Sequence, residues 1–316
     1  MERQIQKWVA YQKERFPLLK YSLLVSAFAA SGLSLSFLLT GASQPLRIEM
    51  FAVAFLVTIL LFFQLRVADE HKDFEFDAEH HPDRPVPRGL VTLTELKILA
   101  IAAGAIQLDA VFALDWKLIF PLLAAWSYMW LMTREFFVGD WLRGHPIVYM
   151  LTHMCILFFT DLFITSCHFL VSDIEPPVTL LYFLATSFFL GTVIELGRKI
   201  KSPQDETTGL DTYTRLWGRE TAVKAWLLAI GLSASFAIAT ASQIQSGLLA
   251  LAVLSIMIAI CYRGGRKFLS LATPKTASRI DALSGLWTLT TYLIIGVVPF
   301  TVYSFCGMVP HLVSQL

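Results

Sequence analysis

The sequence predicts an all-α polytopic membrane bundle of nine transmembrane helices, two four-helix halves plus a ninth helix. Three observations carry that prediction. Of 316 residues, 56% are hydrophobic and only 16% charged, against about a quarter charged in ordinary soluble domains, and mean hydropathy is +0.62. Apolar runs of the ~20 residues needed to cross a ~30 Å hydrocarbon core recur along the whole chain. Lys and Arg alternate between connections, 23 on one side and 2 on the other. Barrel strands would be half as long with alternating polarity, which the sequence does not show. The formal net charge of +1 leaves no bulk electrostatic case for a nucleic-acid partner.

Residues 1–17 form a basic arm. Ile5, Trp8, Val9 and Phe16 fall roughly on one helical face among Arg3, Lys7, Lys13 and Arg15, a pattern suited to a helix lying in the membrane interface. The arm is charged and the apolar run after it is too long for a signal-peptide core, so no cleavable signal is expected. Residues 18–316 are read as one transmembrane domain, with spans at 18–39, 48–65, 94–114, 116–133, 146–171, 177–196, 221–241, 246–262 and 282–307. Basic residues in short loops stay on the cytoplasmic side, which places the N-terminus inside and the C-terminus on the opposite side of the bilayer. Only Arg47 and Lys117 fall outside. Two long cytoplasmic loops, near 66–93 and 197–220, follow the second and sixth spans; their separation by four helices is the topological basis for two halves. Cys155, Cys167, Cys261 and Cys306 lie in apolar segments without CxxC spacing and read as packing residues.

The first loop carries Asp69, Asp73 and Asp77, spaced by four, with Glu70 beside them. On a continuous helix the three aspartates share a face with about 6 Å of rise per step. Like charges stacked in this way need a compensating cation. An all-oxygen set suits Mg²⁺, with a phosphorylated substrate completing its coordination. The same spacing also fits a solvated acidic helix end paired to Lys72 and Arg66.

The string from Asp69 to Asp77, followed by PDRPVPRG, resembles the first signature of the UbiA superfamily of intramembrane prenyltransferases, NDxxDxxxD with a stretch ending RPxPxG. Asp69 stands where that family usually has Asn, and Glu70 where it has Asp. The second loop is similar to the family's DxxxDxxxG pattern in a looser way. Gly209, Thr212 and Gly218 fall in step, which places Asp205 at the second Asp and Lys201 at the first. An ammonium cannot ligate Mg²⁺ but can neutralise a diphosphate oxygen; Glu195, Glu206 and Asp211 are the candidates for a substitute ligand. Where the family often has YxxxK at the end of the fourth helix, Tyr128 is followed by Met132, and the nearest cation is Arg134.

The resemblance implies a nine-helix transferase that moves a polyprenyl group from its diphosphate to an aromatic or lipid acceptor. Asp69, Asp73, Asp77 and Asp205 would be the catalytic, Mg²⁺-holding carboxylates, and Arg84, Arg134, Arg198 and Lys201 the substrate-binding cations. Neutralising the diphosphate makes it a leaving group, and aromatic faces shield the resulting allylic cation. Two rivals fit part of the pattern. A secondary transporter also uses repeated halves, but places its carboxylates near the bilayer midplane. A branch of the family passes a phosphorylated sugar to a polyprenyl phosphate. Among other polar residues, Asp161 inside the fifth span is costly unless it meets a polar cavity or partner. His153 and His168, like His80 and His81, lack a metal-ligand pattern and read as packing or loop residues.

Overall fold

Apolar runs determine where the helices lie, and polar caps determine where several of them begin. The computed structural model describes residues 2–41, 45–206 and 212–306, and no strand occurs among them. The helices are α1 (Glu2–Arg15), α2 (Leu18–Leu39), α3 (Ile48–Lys72), α4 (Phe74–His80), α5 (Leu93–Leu114), α6 (Ile119–Thr133), α7 (Gly139–Arg143), α8 (Pro146–Phe169), α9 (Leu180–Arg198), α10 (Tyr213–Trp217), α11 (Arg219–Ser242), α12 (Gly247–Leu271), α13 (Pro274–Tyr292) and α14 (Val298–Cys306). A π-helical turn at Leu293–Val297 joins the last two.

The spans begin and end close to the expected limits except at three places, one being α12, which runs on to Leu271 rather than ending near 262. Helix α3 continues past residue 65 to Lys72, carrying Asp69 on its last turns. Helix α13 starts at Pro274 rather than near 282, because a reciprocal Thr273–Thr276 capping box and a proline at the first position begin the helix before the apolar run does. Eight helices among the described residues are long and apolar enough to cross a membrane. The expected fourth span is α6, 15 residues long and led in by a 3-10 turn at Trp116–Leu118.

The bundle closes on itself. Helix α2 packs on α3 and α8, α3 on α5, α6 on α8, α8 on α9, α9 on α11, and α11 on α12; α13 then returns against α12, α9 and α2. The last long helix thus seals the seam between the halves. The π-helical turn that follows it needs glycine for its close approach to α2: a Cβ on Gly296 would lie 2.5 Å from the Ser31 backbone, a small-residue contact of the kind that holds membrane helices together. Several buried polar groups in this core find partners. Trp226 donates to Ser284 Oγ at 2.8 Å and Trp287 to Ser233 Oγ at 3.0 Å. Asp161 accepts from Ser187 and, at 2.5 Å, from Tyr292, so one carboxylate ties α8, α9 and α13 together. Cys167 and Cys261 are buried packing residues, as expected.

Helix α1 lies against the bundle rather than apart from it. Tyr11 is buried with Val67, Val86, Val91 and Leu96, and Phe16 with Val25 and Ile59, while Val9 is exposed. Ion pairs Lys7–Glu95 and Arg88–Glu14 add to this seat. The Ile5 side chain lies outside the described residues.

Candidate functional site where the acidic connections meet

Helix α3 bends at Asp73, which closes α3 and opens α4. Hydrogen bonds continue through the bend, from Asp73 N–H to Asp69 O and from Asp77 N–H to Asp73 O, both 2.8 Å, yet the changed direction takes Asp77 out of the row expected of a straight helix. Asp77 is buried and accepts from Arg84, with Arg15 Nη2 3.6 Å from its other oxygen. Arg15 Nε also donates to Glu70 Oε1 at 2.5 Å. Both oxygens of Asp77, expected as a metal ligand, face arginines. Arg84, expected at the substrate, is one of those arginines. Together with α1 they brace the bend.

Two motif carboxylates remain available. Asp69 has a half-exposed side chain, with Arg66 Nη2 at 3.4 Å and Arg198 of α9 within electrostatic reach. The Asp73 side chain makes no hydrogen bond or ion pair among the described residues. The end of α3 thus lies within electrostatic reach of the end of α9, through Asp69 and Arg198. Glu195 is buried and neutralised from its own helix, accepting from Arg198 Nε at 2.5 Å and pairing with Lys199 at 3.0 Å. Asp205 is exposed and accepts from Ser202 Oγ at 2.9 Å. Lys201 donates its backbone N–H to Thr214 Oγ1 at 3.1 Å, and its ammonium has no bonded partner among the described residues. Arg134 is exposed at the end of α6, while Tyr128 donates to Thr152 O at 2.7 Å and serves packing. Gly209 and Asp211 lie outside the described residues.

Several members of this site escape sequence reasoning. Lys72 reaches from α3 to Glu135, 2.6 Å away beyond α6, and to the Tyr149 hydroxyl on α8. His153 stacks on Tyr149 with ring centroids 4.0 Å apart, which makes it a packing residue at the edge of the charged cluster. Tyr213 lies under Lys199, 5.6 Å from ammonium to ring centre. These residues come from four separate stretches with no common spacing, so only the fold joins them.

Charge crowding is visible in Asp73. Although its side chain reaches solvent, the packing around it raises its carboxyl pKa above the ordinary value, and the Asp69 and Asp77 carboxylates push the same way against Lys72 and Arg66. Burial likewise raises the Tyr213 phenol, with Glu195 adding to it, so that side chain is a neutral donor at physiological pH. Among the described residues no three of His, Cys, Asp and Glu converge as a metal cage. Asp69 and Asp73 offer a two-carboxylate oxygen set, the number with which proteins commonly hold Mg²⁺ when a phosphate supplies the rest.

Fold and site together define a polytopic helical membrane protein with an acidic and basic cluster where two connections meet at one end of the bundle. A sequence model of the UbiA prenyltransferase family matches residues 23–280. The chain belongs to that family and is a membrane-embedded prenyltransferase. Among solved structures it is similar to the apo form of a UbiA homologue from Aeropyrum pernix K1, with TM-score 0.66, 16% identity, and coverage of 90% of this chain and 98% of that one. It is also similar to a structure described as digeranylgeranylglyceryl phosphate synthase in membranes, with TM-score 0.56, 13% identity, and coverage of 89% and 98%. Both likenesses concern the fold. No curated protein matches the sequence.

Proposed function

We propose that the protein transfers a polyprenyl group from polyprenyl diphosphate to an aromatic or lipid acceptor, with Mg²⁺ held by Asp69 and Asp73 at the cytoplasmic face. The supporting observation is that Asp69, at the end of α3, lies within electrostatic reach of Arg198 on α9, while neither Asp69 nor Asp73 is fully neutralised by its neighbours. The 23 to 2 division of basic residues supports the orientation, N-terminus inside and C-terminus outside.

Mg²⁺, when bound, supplies positive charge to the departing diphosphate. The chain's own residues do the rest. Asp69 and Asp73 provide the oxygen ligands. Lys201, with a free ammonium, and Arg198 hold phosphoryl oxygens, and Asp205 stands at the rim as a further ligand. Asp77, Arg84 and Arg15 hold the bend that follows the Asp69–Asp73 pair. Helix α1 is the arm at the membrane interface, and the remaining chain is one transmembrane domain.

The test is Mg²⁺-dependent binding of geranyl diphosphate by purified protein in detergent. Asp69→Asn and Asp73→Asn should each lower affinity at least tenfold while thermal unfolding stays near wild type; unchanged binding by both variants would sink the assignment. Asp77→Asn should instead act first on unfolding temperature.

A further inference from the structure

Lys72 carries an inference that deepens this reading and rests on it. It lies between Asp69 and Asp73 on α3, so its backbone is anchored at the proposed ligand pair. Its ammonium lies within electrostatic reach of both carboxylates but bonds to neither, bonding instead to the Tyr149 hydroxyl and to Glu135 Oε1 at 2.6 Å, and sitting 4.9 Å over the Tyr149 ring. Glu135 is itself unusual. Glu135, Phe136 and Phe137 have φ of 47°, 53° and 61°, three successive bulky residues in the left-handed region, a conformation that costs energy at each side chain bearing a Cβ. Such a turn persists only when its surroundings hold it: Phe136 packs on Tyr128 and His153, Phe137 on Trp130, and the Glu135 carboxylate is held by ion pairs.

That carboxylate has two cations. Besides Lys72, Arg143 Nη1 donates to Glu135 Oε2 at 3.2 Å. Lys72 can therefore leave without stranding Glu135 unpaired, and the Tyr149 hydroxyl is neutral. On the other side, an anion arriving beside Asp69 and Asp73 adds negative charge to a place already crowded with it, and Lys72 is the ammonium tethered nearest in the chain. Helix α6 offers little there, since Met132 is apolar and Arg134 is exposed.

We propose that Lys72 is a substrate-binding residue, held on Glu135 and Tyr149 in the free protein and transferred to the phosphoryl oxygens of the anionic substrate when it binds. Glu135 is then a competitor for the cation, relieved by Arg143.

The competition gives opposite signs for the two partners. In calorimetric titrations of the full chain with inorganic pyrophosphate and Mg²⁺, Lys72→Gln should weaken binding at least tenfold, Lys72→Arg should recover part of it, and Glu135→Gln should tighten binding several-fold by releasing the ammonium. A purely structural ion pair makes Lys72→Gln and Glu135→Gln change affinity in the same direction, because each breaks the same contact, and that result overturns the proposal. Unchanged affinity in Lys72→Gln overturns it as well. Asp73→Asn separates the two levels. If it abolishes binding while Lys72→Gln does not, the site stands and the role of Lys72 falls; if wild-type protein shows no Mg²⁺-dependent binding, both fall.

Discussion

Asp73 makes the clearest case at the scale of a single residue. In the role proposed for it, that of a Mg²⁺ ligand, Asp73 must be ionised, and its carboxyl holds its proton to higher pH than the ordinary value of 3.8 because of packing and the Asp69 charge. Mg²⁺ affinity should therefore be full above the raised pKa and fall as pH drops through it, at a less acid pH than an isolated carboxylate would show. The linkage to folding has the other sign. Without metal, the folded protein binds this proton more tightly than the unfolded chain, so stability contributed by Asp73 falls as pH rises from the ordinary value to the raised one. Metal titrations and thermal unfolding across that window check both slopes, and Asp73→Asn should flatten each. Lys201 is the second residue-scale case. With no bonded partner among the described residues, its ammonium is available to a diphosphate, and Lys201→Ala should cost about 1.5 to 3 kcal/mol of substrate binding, the size of a hydrogen bond to a charged group. Lys201→Gln with wild-type kinetics and Mg²⁺ dependence would remove it from the site. Both residues were visible in the sequence because they fall inside a spaced motif. Lys72 falls inside it too, but its partners are 63 and 77 positions away in the sequence, at Glu135 and Tyr149, and no local pattern announces them.

At the scale of elements, α1 and the bend after α3 act as one unit. Arg15 has only 14% side-chain exposure and pairs with Glu70, at 1%, and with Asp77, at 3%. Removing one partner of such a buried pair strands the other charge, at a cost of about 3–5 kcal/mol. Arg15→Met should lower stability by that order in urea or thermal unfolding in detergent, and adding Glu70→Gln should return part of the loss. Additive losses in the double variant would show that the two side chains are not coupled. The sequence disclosed α1 as a helix but not its seat. Its apolar face suits either a bilayer interface or a protein surface, since both are apolar surfaces edged by charge, and hydrophobic pattern alone does not separate them. The bend at Asp73 was likewise hidden. Spacing by four is equally compatible with a straight helix and a kinked one, and the arginines that draw Asp77 aside come from the arm and from the PDRPVPRG stretch. Span limits were far more legible, because each depends on a continuous apolar run; α13 was set early by its threonine cap, which hydropathy does not record.

For the whole molecule, the order of helices and the alternation of charge carry a topological expectation. Single cysteines at Gln204 and Glu175, both exposed, should react with a membrane-impermeant thiol reagent from opposite sides of the bilayer in a background lacking native cysteines. Labelling of both from one side would require a different number of crossings between them. The closure of the bundle by α13 and the π-helical turn after it against α2 was not legible, since it depends on contacts between the two ends of the chain, such as Gly296 on Ser31.

The shortness of α6 has a consequence for the lipid around the protein. Its 15 residues rise only ~22 Å, and Trp116 and Trp130, both more than half exposed, stand near its two ends, where tryptophan favours the headgroup level. Beside α8, which packs on α6 and whose 24 residues include no Lys, Arg or Glu, the apolar wall is taller. Lipids around the circumference therefore meet a wall of uneven height, and those along α6 must compress toward it. Compression costs fractions of a kcal/mol for each Å of mismatch, enough to bias the protein toward membranes made from shorter or less ordered chains.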